Sequence, residues 1–323
     1  MTDLSSSVKH NTAVVQLKAL FSGVLWDCFN DKSVVEIMVN PDGCIYVERL
    51  GKDIENVGSI PPVKTEQIIK MVAAYHGEIV THDKPICQGE FPIDFSRFEG
   101  MLPPVVEGPS FTLRKKAIMI FSLNDYVKNG VMSENQKNTI CKAVSERKNI
   151  LVVGGTGSGK TTLINAIIQE MVEQNPQERI VIIEDTNELQ CAAQNCVQMR
   201  TSPHVSMTDL LKATLRYRPD RILVGEVRGA EALDLLDAWC TGHPGGCATV
   251  HSDTAERGLK RLNMLVTRNK EAPPQVELLI GEAVQVVVNI VKDPIKHNRF
   301  IRSIIEVEDY DEVNHKYIFS PVC

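Results

Sequence analysis

The sequence predicts an α/β fold for its C-terminal part, preceded by a smaller α+β domain. From residue 133 onward, near-continuous apolar runs alternate with helical segments. Strands that are apolar on both faces and alternate with helices are typical of a mostly parallel sheet covered on both sides. Before that point, short strand-like and helical segments are separated by turns that contain Pro and Gly. This change of pattern indicates a separate domain at the N-terminus.

Length and composition set the class of protein. The chain has 323 residues, enough for two domains that each bury a core. Hydrophobic residues make up 43% and charged residues 24%, which is the balance of a soluble globular protein. The net charge is −6, whereas a protein that grips duplex DNA with its whole surface is normally basic. Direct DNA binding is therefore not supported by the composition.

No targeting or membrane signal is visible in the sequence. The first residues carry no positive segment followed by an apolar core, and no apolar run reaches the roughly 18–20 residues that span a bilayer. We therefore expect a cytoplasmic protein with no transmembrane segment of its own. The nine cysteines are irregularly spaced without a C-x-x-C pair, which favours reduced thiols over a zinc ribbon or a disulfide framework.

The N-terminal part is predicted to be a small α+β domain. Between its first two strands, the turn Asn40–Gly43 combines a Pro that sets φ with a Gly that tolerates positive φ. The predicted elements are a helix over 12–30, strands Val34–Val39 and Cys44–Glu48, a helix over 63–77, and strands near 91–95 and 110–114. We therefore expect a domain over residues 1–121, a linker over 122–132 and the α/β domain over 133–323.

The α/β domain begins with a clear helix signal. Ser133 and Gln136 have the spacing of a capping box, which predicts a helix that runs to about Glu146. The apolar runs that follow, and that we expect to be buried strands, are Ile150–Val153, Ile180–Ile183, Ile222–Val224 and Ala248–Val250.

A glycine-rich phosphate-binding loop follows the first of these strands. Gly154–Thr161 matches G-x-x-x-x-G-K-[ST] at every fixed position, and Leu163–Met171 reads as the helix after it. Glycines let successive N–H groups point at phosphate oxygens, and the helix N-terminus adds positive partial charge. We expect Lys160 to reach the β- and γ-phosphates and the Thr161 hydroxyl to coordinate Mg²⁺. The predicted nucleotide-binding residues are Gly155, Thr156, Gly157, Ser158, Gly159, Lys160, Thr161 and Thr162.

Two further strands end in carboxylates, at the edge where an α/β sheet presents its ligands. Glu226 follows Ile222–Val224 directly and is predicted to hold Mg²⁺ through water, in the Walker B position. Glu188 lies in the loop after Ile180–Ile183 and is the better candidate for polarising the attacking water. Glu184 and Asp185, which come directly after that strand, are expected to shape the loop instead.

The order of these motifs resembles that of the secretion-traffic ATPases, which serve type II and type IV secretion, pili and conjugation. Arg221–Gly229 resembles the family's atypical Walker B, in which Glu replaces Asp, and Thr241–Ser252 resembles its His box. The remaining similar segments are the Walker A loop Gly154–Thr161, the acidic box Ile183–Leu189, and Phe98–Val105 with Ser110–Lys115 in the first domain. The layout is most similar to the TrbB-type conjugal-transfer ATPases.

The resemblance implies a homo-hexameric motor of two-domain subunits that hydrolyses Mg-ATP. It implies a RecA-like P-loop fold for the C-terminal domain, with ATP between that domain and the first. It gives His251 a role in sensing the γ-phosphate, and it brings Arg97 and Arg114 to the phosphates. It also implies partners among the inner-membrane components of a type IV secretion or conjugation apparatus, including its pilus assembly, with the protein held at the inner membrane by those partners.

Other functions remain open at this point. Many type II secretion ATPases carry a four-cysteine module after the Walker B, and this chain has none. A pilus or type II secretion assembly ATPase is nevertheless an alternative. So is a nucleotide-gated assembly factor with little turnover. A RecA-like DNA helicase shares the motor core, but the acidic balance and the lack of an aromatic and basic strand-binding stretch disfavour it.

Overall fold

A computed structural model describes residues 14–49, 52–115, 120–202, 204–293, 295 and 298–322. The chain divides into two units, Met1–Ile118 and Met119–Cys323. In the described part of the chain, no helix is both long enough and apolar enough to cross a membrane.

Unit 1 is an antiparallel sheet with helices on one face. Its six strands lie in the order β3-β2-β1-β6-β5-β4. The elements are α1 (residues 14–20), α2 (Val24–Asn30), β1 (Val34–Val39), β2 (Cys44–Arg49), β3 (Glu55–Ser59), α3 (Pro62–Tyr75), β4 (Ile86–Glu90), β5 (Arg97–Met101) and β6 (Ser110–Arg114). Buried residues of the strands and of the helices form one hydrophobic cluster. The rings of Phe21, Phe91, Phe98 and Phe111 are in contact within it.

Unit 1 differs from the sequence prediction in three places. The single helix predicted over 12–30 is interrupted within its described part, because Gly23 has a φ of 65° and α2 starts after it. The strand predicted over 91–95 is a turn instead, in which Asp94 accepts bonds from the amide and hydroxyl of Ser96, and the strand lies later in the chain, as β5. β3 and β4 were missed because they are the edges of the sheet and carry mostly polar residues, so they lack the apolar alternation of buried strands.

Unit 2 is built on an eight-stranded sheet in the order β14-β13-β12-β7-β11-β10-β8-β9. The strands from β12 to β9 in that order are parallel, and β13 and β14 are antiparallel additions at one edge. The elements are α4 (Leu123–Lys128), α5 (Glu134–Ser145), β7 (Ile150–Gly154), α6 (Lys160–Gln174), β8 (Ile180–Glu184), β9 (Cys196–Arg200), α7 (Met207–Thr214), β10 (Arg221–Val224), α8 (Glu231–Cys240), β11 (Cys247–His251), α9 (Ala255–Val266), α10 (Val276–Ala283), β12 (Val286–Lys292), β13 (Arg299–Asp311) and β14 (Lys316–Val322).

Helices cover both faces of this sheet, as the apolar runs predict. Residues of α4, α5 and α6 are buried against one face, and residues of α7, α8, α9 and α10 are buried against the other. Alternate residues of β7 belong to the two clusters, with Ile150 and Val152 on one side and Leu151 and Val153 on the other. All four residues are fully buried, so this central strand is apolar throughout.

The start of unit 2 confirms one helix signal and revises the predicted linker. The Ser133 hydroxyl accepts from the Gln136 amide at 3.2 Å, and the Gln136 side chain accepts from the Ser133 amide at 3.0 Å. This capping box starts α5, as predicted. The segment predicted as a linker, 122–132, contains α4, which has its own capping box at Ser122. Leu123, Tyr126 and Met132 are buried there, so this segment is part of the core.

The amino edge of the large sheet is held by a buried ion pair. Arg221 at the start of β10 is completely buried, and its guanidinium bonds the Glu178 carboxylate. It also donates to the carbonyls of Val144 and Gly245, at 3.1 Å each. Because β10 is parallel to β7, Arg221 lies at the opposite end of the strands from the glycine-rich loop. Its role is therefore structural, although it is the first residue of the segment Arg221–Gly229 that resembles a Walker B motif.

Removing the Arg221 side chain is expected to destabilise unit 2. The Arg221→Ala variant should lower the free energy of unfolding by about 2–4 kcal/mol, because two buried carbonyls lose their donor and the Glu178 carboxylate keeps only its partly exposed partner Arg147. Arg257→Ala is the matched control, since Arg257 forms an exposed pair with Asp253 at 3.6 Å and should cost less than about 1 kcal/mol. Urea denaturation followed by circular dichroism measures both, and equal costs would contradict the assignment.

Candidate functional site

The glycine-rich loop connects β7, which ends at Gly154, to α6, which begins at Lys160. Gly157 and Gly159 have φ values of 68° and 98°, in the left-handed region that side chains rarely adopt. A side chain on Gly154 would clash with the Ile290 carbonyl and the Ser158 hydroxyl. The glycines therefore serve a tight loop over the start of a helix, which is the geometry that binds phosphate.

Lys160 turns its ammonium back into this loop. Its Nζ donates to the carbonyls of Gly154 and Gly155, at 2.9 Å each. The positive charge of Lys160 therefore lies within the glycine-rich loop, where the sequence motif predicts that phosphates bind. Its carbonyl partners are neutral, so a phosphate oxygen placed there would make the stronger, charge-assisted bond.

The acidic loop after β8 is held in place by a buried carboxylate. Glu184 is 3% exposed, and its Oε1 accepts from the amides of Glu188 and Leu189, at 3.0 and 2.9 Å. The expectation that Glu184 shapes this loop is confirmed. Asn165, buried on α6, adds a second anchor by accepting from the Gln190 amide at 2.9 Å.

The two anchors bring Glu188 to the start of α6. The Thr161 hydroxyl donates to Glu188 Oε2 at 3.3 Å. A hydroxyl and a carboxylate side by side at a phosphate loop are hard oxygen donors, which suit Mg²⁺. In the described part of the chain, no group of three or more His, Cys, Asp or Glu is arranged to hold a metal by itself. Sites that share Mg²⁺ with phosphates need only one or two protein ligands, and the donors around Thr161 fit that chemistry.

Glu226 lies beyond the end of β10, as its position in the sequence predicts, and is bonded to an arginine. Arg228 Nη2 lies 2.5 Å from Glu226 Oε2, and its Nη1 lies 3.6 Å from the Asp185 carboxylate. The hydrogen bond that Arg228 donates to Glu226 is the main cause of the raised pKa of Arg228. The structure therefore brings Thr161 to Glu188, while Glu226 is paired with Arg228.

The predicted His box divides between the two edges of the sheet. His251 ends β11, where it is paired in register with Gly154 at the glycine-rich loop, and its side chain is exposed. The glycines of the box lie at the other end of the strand, where the Gly246 amide donates to buried Asn149 at 2.8 Å. His251 is therefore placed at the loop, whereas His243 and its neighbours belong to the amino edge.

Arg97 and Arg114 are neighbours in unit 1. They lie directly opposite each other on β5 and β6, and both side chains are exposed. Glu36 is opposite Arg114 on the next strand. Burial raises the pKa of Glu36, and the Arg114 charge acts against that rise. Two like charges facing each other across a strand pair are unfavourable, so this pair is suited to an anion between them.

Two residues that contribute to the site are not part of any sequence motif identified above. Asn165 anchors the acidic loop from α6. The available sequence signal for this role is that a polar residue interrupts the apolar face of the helix Leu163–Met171. Arg299, at the start of β13, donates from Nε to the Gly157 carbonyl at 3.3 Å. It is distant from the loop in sequence, and nothing in the local pattern around it points to the loop.

The chain matches a known protein family over most of its length. The family model described as type II/IV secretion system protein matches residues 92–317. A probable conjugal transfer protein TrbB from Sinorhizobium fredii (strain NBRC 101917 / NGR234) is 48% identical over 302 residues, covering 93% of this chain and 91% of that protein. The conjugal transfer protein TrbB of Rhizobium radiobacter is 47% identical over 311 residues, covering 96% and 94%.

A solved structure is also similar over most of the chain. The VirB11 ATPase of the Brucella suis type IV secretion system, in complex with sulphate, is 25% identical to this chain with a TM-score of 0.50. The match covers 92% of this chain and 96% of that one. The two-sheet, mixed α/β architecture is thus shared with a known secretion ATPase.

Removing the Glu184 carboxylate is expected to loosen the acidic loop. In Glu184→Ala the amides of Glu188 and Leu189 lose their acceptor, so their hydrogen-exchange protection should fall about tenfold or more. Asp185→Ala is the matched control, because Asp185 is exposed and accepts from the Thr201 side chain instead. Exchange measured by mass spectrometry on peptides that span Glu188 tests this. Unchanged protection in Glu184→Ala would contradict the anchoring role.

Proposed function

Because the chain belongs to the type II/IV secretion system protein family, we propose that it powers a conjugal DNA-transfer or type IV secretion apparatus by hydrolysing Mg-ATP. The chain is an ATPase of this family. The observation that carries the proposal is the convergence, at one edge of one sheet, of the Lys160 ammonium in its glycine-rich loop with the Thr161–Glu188 pair. The names of the relatives favour conjugation over type II secretion.

Nucleotide binding uses the loop and the first turn of α6. We propose a RecA-like arrangement, in which the amides of residues 155–162 bind the phosphates. Lys160 exchanges the carbonyls of Gly154 and Gly155 for β- and γ-phosphate oxygens, and its charge offsets the negative charge that develops on them. The Thr161 hydroxyl and, through water, Glu226 would hold Mg²⁺. The ion would neutralise phosphate charge in the transition state.

Hydrolysis requires a group that orients the attacking water. In this proposal Glu188 accepts a hydrogen bond from that water at its carboxylate and takes up its proton as the water oxygen bonds to the γ-phosphorus. The bond from that phosphorus to the β–γ bridging oxygen breaks at the same time, and ADP leaves. Glu184 acts through Glu188, since it fixes the backbone from which that side chain extends. Arg228 neutralises Glu226 and Asp185. His251 would sense the γ-phosphate from its place beside Gly154.

The assembly and its partners form the finer part of the proposal. We propose a homo-hexameric ring that is cytoplasmic and held at the inner membrane by components of the transfer apparatus, where it serves substrate transfer and pilus assembly. The family membership and the relatives' names support this. The contact of Arg97 and Arg114 with phosphate stays a prediction. It is supported by the side-by-side placement of the two cations.

Phosphate release and molecular mass, measured together, test this function. The purified protein should release phosphate from Mg-ATP, with a rate that rises as light scattering reports assembly to about six subunits. Lys160→Ala should reduce the rate to background, because no other group replaces the ammonium in the loop. Lys142→Ala, which removes an exposed lysine of α5, is the control and should keep the normal rate.

Three outcomes would change the account. Nucleotide-dependent assembly without phosphate release would favour the assembly factor over the motor. Equal turnover by the monomer would remove the ring from the mechanism. Full turnover by both Arg97→Ala and Arg114→Ala would remove the two arginines from the phosphate site.

A further inference from the structure

Arg299 lies across the outer side of the glycine-rich loop. It is the first residue of β13, paired with Lys292 of β12. Its Nε donates to the Gly157 carbonyl at 3.3 Å. A methyl group added to Gly159 would come within 3.2 Å of Arg299 Cδ, so the side chain runs directly over the glycine that precedes α6. None of the sequence motifs of the site includes this residue.

The order of the strands shows which side of the glycine-rich loop faces the carboxylates and which side faces Arg299. The carboxylates lie on or after β8 and β10, which are on one side of β7. β12 and β13 are on the other side. Thr161, whose hydroxyl bonds Glu188, therefore marks the γ-phosphate end of the site. A nucleotide whose γ-phosphate is at Thr161 and Glu188, and whose other phosphates follow the loop toward β12 and β13, would have its nucleoside next to Arg299.

The surroundings of Arg299 suit a flat ring. The Arg299 guanidinium is close enough to Tyr126 of α4 to act against the rise in the tyrosine pKa that burial causes. Phe121 lies edge-on to Tyr126, with ring centroids 6.5 Å apart. The connection between α4 and α5 is bonded to the same strand, because the Ile301 amide donates to the Val131 carbonyl at 2.7 Å. Arg299 is half-buried beside these two aromatic residues, Phe121 and Tyr126.

We infer that Arg299 binds the nucleoside of the bound nucleotide, with its guanidinium plane against the face of the base. Nε remains bonded to the Gly157 carbonyl, which fixes the plane of the guanidinium before the nucleotide arrives. A planar guanidinium lies flat on an aromatic ring and adds stacking to the cation–π contact, whereas the ammonium of a lysine makes the cation–π contact alone. The inference rests on the proposed function, because it requires the phosphates to occupy the glycine-rich loop.

Calorimetric titration with ADP and with inorganic pyrophosphate separates the nucleoside from the phosphates. Arg299→Ala should weaken ADP binding by about tenfold, the size of a partly desolvated cation–π contact. Pyrophosphate has no base, so its affinity should stay within about twofold of that of the unaltered protein. Arg299→Lys should recover ADP affinity only in part, because it keeps the charge and loses the plane that stacks on the base. Arg302→Ala removes an exposed cation from the same strand and should change neither affinity.

Each other outcome overturns the assignment. Equal weakening of ADP and pyrophosphate, or full recovery of ADP affinity in Arg299→Lys, would mean that Arg299 acts through its charge and not through its plane. Unchanged affinity for both ligands in a folded Arg299→Ala protein would mean that it only supports the loop. Failure of the unaltered protein to bind ADP or pyrophosphate would contradict the nucleotide site itself, and this is measured before any variant is made.

Discussion

The Glu184 carboxylate is the interaction on which the arrangement of the site depends. It ends a fully buried parallel strand and is itself almost inaccessible to water. Burying a carboxylate costs several kcal/mol unless it is well bonded. Here it accepts two backbone amides of the following loop, and each bond to a charged acceptor contributes about 1.5–3 kcal/mol. The loop is therefore drawn back over the start of α6, which is what places Glu188 at Thr161.

Two charged groups of the site, Lys160 and Glu226, have neutral or opposite partners in this structure. Lys160 is bonded to carbonyls of its own loop, and Glu226 is paired with Arg228. When a polyphosphate binds, it replaces protein partners of these groups and not only water. Part of the cost of desolvating the charged groups is therefore met before the nucleotide arrives. In the proposed mechanism, only Glu188 must act on water, and its backbone is already fixed.

The parts of the site that are local in sequence were predictable, and the long-range parts were not. The glycine-rich loop, the apolar strands and the Ser133 capping box each depend on residues a few positions apart, and the structure has them where the patterns predict. The side on which Arg299 meets Gly157 depends on strand order over more than a hundred residues. The buried Arg221–Glu178 pair was likewise hidden, because a charged pair in sequence is normally read as surface. The edge strands β3 and β4 gave no periodic signal because most of their residues are polar and face water, so apolar residues do not alternate along them.

The central claim is that Glu188 serves hydrolysis and not nucleotide binding. Glu188→Gln keeps the size of the side chain and removes its charge, so the most direct measurement compares ATP affinity with the rate of phosphate release in that variant. Glu173→Gln, an exposed change on α6, is the control. We expect ATP affinity within a few-fold of normal and a phosphate-release rate lowered by at least about 100-fold. Loss of ATP binding, or turnover at the normal rate, would contradict it.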